Sequence, residues 1–388
     1  MTKKLCLEHG YTSLIQWGEE LCGDKVEYAV NGDYTTVVLA DGLGHGVKAN
    51  ILATLTSKIL CTMFSAGRSV EECVDTIIQS LPVCKERGVA YSTFSVIHVN
   101  NNGEGYLLEF DNPKAIYWHE GRCVELPCSK LTVHGKTVYQ SELSLSEDDI
   151  IFVMSDGTVH AGIGGMFDFG WKRSGIIAYL NREIKPGLSA RASCCILASA
   201  CNLFYKGKPG DDTTVAAIKM RKQVWANLMI GPPVDREQDY AVVANFMEGD
   251  TLKIVCGGTS SNVVSRCIGS ELEPVLDFPD RDIPPIAHME GIDLVTEGVI
   301  TFRRLLELSD KYISVTDLSP KTYTARDGAS LLAQMLFEEA TDIKFFVGQA
   351  VNKAHSDLPI DITMKLRLVD RLAENLRRMG KRVVLTYD

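Results

Sequence analysis

The sequence predicts an α+β fold, in which an antiparallel β-sandwich with helices on its outside is followed by a smaller α/β domain. Residues 24–220 read as apolar strands interrupted by two or three longer helices. Few strand–helix–strand alternations occur there, which favours antiparallel sheets over a doubly wound parallel sheet. The pattern breaks at residues 221–223, and Gly231-Pro232-Pro233 follows. We therefore expect two domains, at residues 1–222 and 223–388.

A hairpin opens the first domain. Residues 25–30 and 34–40 form two apolar runs, and the Asn31-Gly32-Asp33 segment between them is a strong signal for a tight turn. The second run is apolar on both faces, which predicts an inner strand covered on both sides. Apolar residues at helical spacing then predict an amphipathic helix over residues 47–64 that packs on the sheet.

The remaining elements follow from the same two periodicities. In the first domain we predict strands at 93–99, 105–110, 115–118, 149–154 and 213–220, and helices at 171–182 and 189–204. In the second domain we predict a strand at 251–255, a small-residue loop at 256–262, a helix starting at Val263, a helix at 366–379 capped by Gly380, and a final strand at 382–387.

Composition and charge exclude several classes of protein. Charged residues make up 23% of the chain and apolar residues 45%, as in ordinary globular proteins. The sequence contains neither an apolar stretch of ~18 residues nor a signal peptide, so we expect a cytoplasmic protein without a membrane partner. The net charge of -10 disfavours nucleic acid as a partner, because nucleic acid requires basic patches. The 12 cysteines include no Cys-x-x-Cys pair, and we expect reduced thiols.

Two aspartates should meet at the open end of the hairpin. Asp24 lies seven residues before Asn31, and Asp41 lies nine residues after Gly32. An antiparallel hairpin therefore returns both to the same place. The glycine after Asp41, Gly42, lets the backbone turn sharply and leaves its carbonyl free as an oxygen ligand.

Further aspartates lie at other strand ends of the first domain. Asp156 ends the strand 149–154, and Asp211-Asp212 open the strand 213–220. Each one alone reads as a turn residue. Gathered at one rim, however, carboxylates repel one another unless a divalent cation neutralises them. Oxygen ligands without His or Cys favour Mg²⁺ or Mn²⁺, and two such ions about 3.5 to 4 Å apart suit in-line displacement at phosphorus.

Six motifs occur in order within the first 221 residues. They are Gly23-Asp24, Ala40-Asp41-Gly42-Leu43-Gly44-His45-Gly46, Ser92-Thr93-Phe94-Ser95-Val96, Asp111-Asn112-Pro113, Ser155-Asp156-Gly157 and Gly210-Asp211-Asp212-Thr213-Thr214-Val215. Together they resemble the metal-dependent type 2C protein phosphatases, and in particular the bacterial SpoIIE-type branch of sporulation and stress-response phosphatases. The resemblance implies an α/β/β/α sandwich, with two antiparallel sheets and flanking helices. It also implies hydrolysis of phosphoserine or phosphothreonine by direct attack of a water that two Mn²⁺ or Mg²⁺ ions activate.

The resemblance also implies a ligand set, carried over position by position. Asp41 would bridge the two ions, and the Gly42 backbone carbonyl would bind one of them. Asp156 and Asp211 would hold the first ion, and Asp24 would serve the second. Asp41 and Asp156 are thereby the residues expected to support catalysis.

Four other features of the motifs affect the expected site. Asp212 is expected to orient its loop, and Asp33 lies in the hairpin turn at the wrong end of the strands. His45 could protonate the leaving serine oxygen, or it could be an exposed loop residue. No N-terminal phosphate-binding arginine is evident, and Thr158-Val159-His160 stands where many bacterial relatives have an acidic residue. The first departure leaves the contacts to the substrate phosphate unassigned, and the second bears on fine specificity rather than on activity.

Three functions compete on these grounds. A serine/threonine phosphatase in bacterial signalling is favoured, with a phosphoprotein substrate that by family analogy resembles an anti-sigma antagonist. The alternative is a catalytically weak phosphatase-like scaffold that binds partners through its C-terminal domain. The four-position acidic ligand set disfavours the scaffold, which has no need of it. A nuclease or small-molecule phosphohydrolase is disfavoured by the acidic balance.

Residues 223–388 are expected to have a regulatory or partner-binding role. The loop at 256–262 follows a strand and precedes a helix, so backbone N–H groups and hydroxyls there could cradle a small anionic ligand. A plain connecting loop with Ser or Asn as the helix N-cap is the alternative.

Overall fold

The computed structural model describes residues 4–80, 92–133, 135–275, 283–314, 316, 327–350 and 362–388. The chain divides into two compact units. The first comprises residues 1–222 and 315–320, and the second comprises residues 223–314 and 321–388. Within the described ranges, no helix is long and apolar enough to cross a lipid bilayer.

The first unit has the strands and helices that the sequence predicts between residues 24 and 220, with ends within two residues of those expected. Its strands are β1 Leu5–Leu14, β2 Asp24–Asn31, β3 Tyr34–Gly42, β4 Ser92–Asn100, β5 Glu104–Phe110, β6 Ile116–His119, β7 Arg122–Val124, β8 Ser129–Val133, β9 Lys136–Ser144, β10 Ile150–Met154 and β11 Thr213–Lys222. Its helices are α1 Gly46–Ser65, α2 Val70–Ser80, α3 Asp156–Val159, α4 Lys172–Glu183 and α5 Ala190–Phe204.

These strands form two antiparallel sheets that pack face to face. One sheet has the order β1-β11-β10-β6-β7 and the other β2-β3-β4-β5-β9-β8, so that β3 is an inner strand as predicted. Alternate residues of β3 serve different layers. Val37 and Leu39 pack with Ile151 of the other sheet. Val38 and Ala40 pack in the cluster beneath the helices.

Helices cover the outer face of each sheet. Leu60 of α1 packs with Val96 on the six-stranded sheet, where α2 also contributes. Leu197 of α5 packs with Phe152 on the five-stranded sheet, together with residues of α4. The four layers confirm the α/β/β/α sandwich that the resemblance implies.

In the first unit, the sequence prediction missed β1, α2, β7, β8, β9 and the short helix α3. Strand β1 was not predicted because it buries polar side chains, which break the alternation of apolar and polar residues expected of a strand. Buried Glu8 accepts a hydrogen bond from the backbone N–H of Ala190 at 3.0 Å and pairs with Arg221 at 3.0 Å. A carboxylate can be buried in this way because its charge and its oxygens both find partners.

The second unit is an α/β structure, as predicted. Its strands are β12 Trp225–Ile230, β13 Leu252–Cys256, β14 Glu273–Pro274, β15 Ala287–Met289, β16 Ile292–Thr296, β17 Asp342–Val347 and β18 Arg382–Tyr387. Its helices are α6 Asp239–Met247, α7 Gly258–Ile268, α8 Val299–Tyr312, α9 Gly328–Ala333 and α10 Ile362–Arg378.

Its sheet is largely parallel and covered on both faces. The order is β14-β15-β16-β13-β12-β17-β18, and the five strands from β16 to β18 in that order run parallel. Leu228 and Phe345 face the side covered by α8, α9 and α10. Met229 and Phe346 face α6 and α7. The sheet is therefore doubly wound.

The predicted loop at 256–262 is wrong, because α7 begins at Gly258 rather than at Val263. Glycine and hydroxyl residues are weak helix formers, and tertiary contacts outweigh that preference here. The Ser260 hydroxyl accepts a hydrogen bond from the Gly231 N–H at 2.8 Å, and the Ser261 hydroxyl donates to the Gly257 carbonyl at 3.0 Å. Two of the hydroxyls in this segment, those of Ser260 and Ser261, are thus bonded to backbone. An anionic ligand on this unit stays a prediction.

A fragment of residues 1–222 is expected to fold alone, because the three hydrophobic clusters of the sandwich are built from residues before Lys222. Phe152→Ala in this fragment should lower the free energy of unfolding by about 3–5 kcal/mol, since Phe152 is fully buried. Urea denaturation followed by circular dichroism measures both. Leu203→Ala, at an exposed position, is the control and should change stability by no more than ~0.5 kcal/mol. An aggregated fragment, or one without a cooperative transition, would contradict the expectation.

Candidate metal centre

Two aspartates face each other where the hairpin opens. The register of β2 and β3 pairs Asp24 with Asp41, as the count from the turn predicts. Asp24 is only 4% exposed, and its Oδ2 accepts a hydrogen bond from the Ser155 hydroxyl at 2.7 Å. Among the residues that the structure describes, its buried Oδ1 has no hydrogen-bond partner. A buried carboxylate oxygen of this kind costs free energy unless another group, such as a cation, meets it.

The pKa values of the Asp24 and Asp41 carboxyls are both raised. Burial is the largest cause for Asp41, followed by the negative charges of Asp24 and Asp156. Burial is also the largest cause for Asp24, and it outweighs the hydrogen bond from Ser155. A bound cation would reverse this effect, because it favours the charged form of both carboxyls.

Asp211 belongs to the same electrostatic group. Burial, and next the charge of Asp156, raise its pKa to about 6. Asp156 itself begins α3 directly after β10, and its side chain is 49% exposed. Its Oδ2 lies 3.9 Å from His160 Nδ1, one helical turn on. The side chain of Asp156 is therefore far more open to solvent than that of Asp24.

Asp212 uses both of its carboxylate oxygens on the backbone. Oδ2 accepts a hydrogen bond from the Gly23 N–H at 2.8 Å, and Oδ1 accepts one from the Gln16 N–H at 3.0 Å. A Cβ on Gly23 would lie 2.8 Å from Asp212 Oδ2, so a side chain there would disturb this contact. Asp212 thus ties the segment before Asp24 to the loop that carries Asp211.

At two more positions, another backbone segment lies so close that only glycine fits. A Cβ on Gly157 would lie 2.2 Å from the Asp212 carbonyl oxygen, and a Cβ on Gly42 would lie 2.1 Å from the Ala49 carbonyl oxygen. Both distances are far below van der Waals contact, so only glycine fits. These glycines hold the start of α3 against the loop before β11, and the end of β3 against α1.

His45 lies on the loop between β3 and α1. Its side chain is 65% exposed, and Nδ1 is 2.7 Å from Glu19 Oε1. Because a carboxylate only accepts hydrogen bonds, Nδ1 carries a hydrogen and Nε2 is the nitrogen that can exchange a proton. Asp33 lies at the other end of β2 and β3, where Asn101 Nδ2 donates to its Oδ1 at 3.3 Å.

The carboxylates share one rim but do not converge on one point. Among the residues that the structure describes, no three Asp, Glu, His or Cys side chains are arranged so that they could hold a metal ion as they stand. The donor chemistry nevertheless fits a hard divalent cation, since the candidate ligands are oxygen atoms and one carboxylate oxygen is buried with no hydrogen-bond partner among the described residues.

Ser155 supports the candidate site in a way that the sequence did not indicate. Its hydroxyl donates to Asp24 Oδ2 and accepts from the Thr214 N–H at 2.9 Å, which links the rims of the two sheets. A serine before an aspartate at a strand end reads as a helix N-cap, and Ser155 does precede α3. Its hydroxyl makes no cap hydrogen bond, however. The sequence pattern therefore predicts a hydrogen bond from Ser155 to its own helix, whereas the hydroxyl bonds to Asp24 instead.

Comparison with known proteins identifies part of the chain. Residues 31–221 match the model of the family described as Stage II sporulation protein E (SpoIIE). The match begins after Asp24, which lies outside it. No curated protein sequence matches the chain at a significant level.

Solved structures resemble the chain at low sequence identity. The phosphatase domain of SpoIIE from Bacillus subtilis is 16% identical, with 57% of this chain and 95% of that chain covered and a TM-score of 0.45. A second Bacillus subtilis SpoIIE structure, with a fragment of the regulatory domain, is 17% identical, with 57% and 64% covered and a TM-score of 0.49. The RsbU and RsbW domains of a Mycobacterium tuberculosis protein are 17% identical, with 63% and 69% covered and a TM-score of 0.45.

These structural likenesses are too distant to carry an argument about activity. The likeness to a family rests on the sequence match, which spans β3 and the strands and helices that follow it to the end of the sandwich. Residues 31–221 of this chain therefore match the Stage II sporulation protein E family over just under half of the chain.

Proposed function

We propose that the first unit is a Mn²⁺- or Mg²⁺-dependent protein phosphatase that hydrolyses phosphoserine or phosphothreonine in a bacterial signalling pathway. The observation that carries the proposal is the carboxylate rim, where Asp24 and Asp41 are paired in register and Asp156 and Asp211 lie within electrostatic reach. The match of residues 31–221 to the SpoIIE family model supports it.

The proposed ligands are the residues that the family motifs mark. Asp41 would bridge two ions, the Gly42 carbonyl would bind one of them, Asp156 and Asp211 would hold the first ion, and Asp24 would serve the second. When bound, the ions would neutralise the rim and activate a water for in-line attack at phosphorus.

The neighbouring residues position this set. Asp212 holds the segment before Asp24 through the Gly23 N–H, and Ser155 fixes one oxygen of Asp24. His45 is the proposed donor of a proton to the leaving serine oxygen, from the Nε2 that its contact with Glu19 leaves available. The substrate is proposed to be a phosphoprotein, and the resemblance favours one similar to an anti-sigma antagonist.

A second function deserves a test because no three side chains of the described rim already converge on a metal position. The first unit could be a catalytically weak scaffold, with residues 223–388 binding a partner. The two functions differ in one measurable respect, since only the phosphatase requires the carboxylates for turnover.

The proposed function predicts metal-dependent turnover. The full chain should hydrolyse p-nitrophenyl phosphate and a phosphoserine peptide with Mn²⁺, and a chelator should abolish the reaction. Asp41→Asn and Asp156→Asn should each lower kcat by at least ~100-fold, because each removes a charged ligand. Asp33→Asn is the matched control, since Asp33 lies at the opposite end of the same hairpin. It should leave kcat unchanged.

Two results would count against this assignment. Near wild-type kcat in both Asp41→Asn and Asp156→Asn would show that these residues do not bind the catalytic metal ions. A wild-type chain without turnover in Mn²⁺ or Mg²⁺, although folded, would favour the scaffold.

The second prediction separates Asp211 from Asp212. Asp212→Ala leaves two backbone N–H groups without their acceptor, so it should lower the free energy of unfolding by about 1–3 kcal/mol. Asp211→Asn should weaken Mn²⁺ binding but should not lower the free energy of unfolding in this way. The raised pKa of Asp211 means that its negative charge is unfavourable in the folded chain, so a neutral Asn does not cost stability. Urea denaturation and Mn²⁺ titration by calorimetry measure the two effects. Equal loss of stability in both variants would contradict the division of roles.

The third prediction concerns pH. The raised pKa of Asp211, about 6, means that the folded chain binds more protons than the unfolded chain between the usual carboxyl pKa and that value. Stability in chelator should therefore fall as pH rises through this window, and the raised pKa of Asp41 extends the fall to higher pH. Added Mn²⁺ should restore stability, since it binds the folded, deprotonated form.

Urea denaturation at about pH 5 and about pH 8, with and without chelator, checks this expectation. Asp41→Asn should be less sensitive to pH than the wild type and less stabilised by Mn²⁺. Asp33→Asn should behave as the wild type. A wild-type chain that gains stability with rising pH in chelator would contradict the prediction.

A further inference from the structure

A cavity of about 780 Å³ lies on the first unit, far from the carboxylate rim. Strand β3 carries Tyr34 at the cavity and Asp41 at the rim, seven residues further along. At the rise of a β-strand this separation is about 23 Å. The cavity is therefore a separate site, and the proposal that follows does not depend on the phosphatase assignment.

The cavity exists because α1 ends before the sheet does. On the helix-facing side of β4, Val96 packs in the cluster beneath α1 and α2. His98 lies on the same side two residues further on, and there it lines the cavity together with Phe64 from the last turn of α1. The strands thus continue past the end of α1, and no other described helix covers the aromatic side chains there.

The wall of the cavity is aromatic. The His98 ring stacks on Tyr34 at a centroid distance of 4.8 Å and lies 5.2 Å from the Tyr106 ring. Phe64 packs on Tyr106 at 6.1 Å. Burial lowers the pKa of His98, and its Nδ1 is 2.9 Å from the Thr36 hydroxyl. The imidazole is therefore neutral at neutral pH, and the wall carries no positive charge.

Two carboxylates border the same cavity. Glu104 accepts a hydrogen bond from the Ser144 hydroxyl at 2.8 Å, and Glu142 accepts one from Gln140 Nε2 at 3.0 Å. Neither is paired with a Lys or Arg in the described part of the chain, and the described lining residues include no Lys or Arg. Both negative charges are thus available to a ligand.

We propose that this cavity binds an organic cation, such as a guanidinium or an alkylated ammonium group. Aromatic faces attract such cations, and the exposed ring of Tyr34 provides one face. Glu104 and Glu142 supply the opposite charge. An anionic ligand would meet two carboxylates and no cation. The same chemistry is offered by a free small molecule and by a basic side chain of a protein.

The test is a calorimetric titration of the full chain in chelator. The probes are choline, its neutral isostere 3,3-dimethyl-1-butanol, agmatine, and the capped tripeptide glycyl-arginyl-glycine. At least one cation should bind with saturation at one site per chain, and the butanol should not bind. Tighter binding of agmatine or choline identifies a free small molecule as the source, and tighter binding of the tripeptide identifies a protein side chain.

Matched variants locate the site. Glu104→Gln combined with Glu142→Gln should weaken the cation by at least tenfold, or ~1.4 kcal/mol. Tyr34→Leu should also weaken it, and because Tyr34 is 43% exposed this variant should still fold. Glu120→Gln, an exposed carboxylate on the other sheet, is the control and should leave binding unchanged.

Several results would overturn the proposal. These are no binding of any cation, binding of the butanol as tight as that of choline, or a loss in Glu120→Gln as large as in the double variant. Thermal unfolding of each variant shows whether a loss of binding is a loss of folding. If the double variant does not fold, Tyr34→Leu decides: unchanged binding there would also overturn the proposal.

Discussion

The burial of several carboxylates at one rim of the sandwich is the constraint on which the rest of the first unit depends. Burial is the largest cause that raises the pKa values of Asp24, Asp41 and Asp211, and their mutual negative charge adds to it. The chain nevertheless brings these carboxylates to one rim, where one oxygen of Asp24 has no hydrogen-bond partner among the described residues. Such an arrangement would gain stability from a divalent cation, which would link the stability of the unit to its proposed chemistry.

The surrounding structure is arranged to maintain this unfavourable contact. Both carboxylate oxygens of Asp212 accept hydrogen bonds from backbone N–H groups. The Ser155 hydroxyl connects Asp24 to the backbone of Thr214 in the opposite sheet. Gly42 and Gly157 allow backbone approaches that any side chain would prevent. The sheets, which share an apolar interior, supply the rigidity that these contacts require.

The sequence was most informative where one local rule decided the structure. The turn at Asn31-Gly32 fixed the register of β2 and β3, so a count of residues paired Asp24 with Asp41. Strand β1 was missed because buried Glu8 is satisfied by Arg221, more than two hundred residues away. The start of α7 was misplaced because Ser260 is held by a bond to Gly231. Partners distant in sequence leave no local pattern, and the hydroxyl of Ser155 shows the same limit within the candidate site.

Anomalous diffraction at the manganese edge, from crystals of the full chain grown with Mn²⁺, is the decisive experiment on the proposed metal site. We expect anomalous peaks at the rim, in contact with the carboxylate of Asp41 and lost in crystals of Asp41→Asn. Well-ordered crystals in Mn²⁺ that show no peak at Asp41, or peaks only elsewhere on the chain, would contradict it.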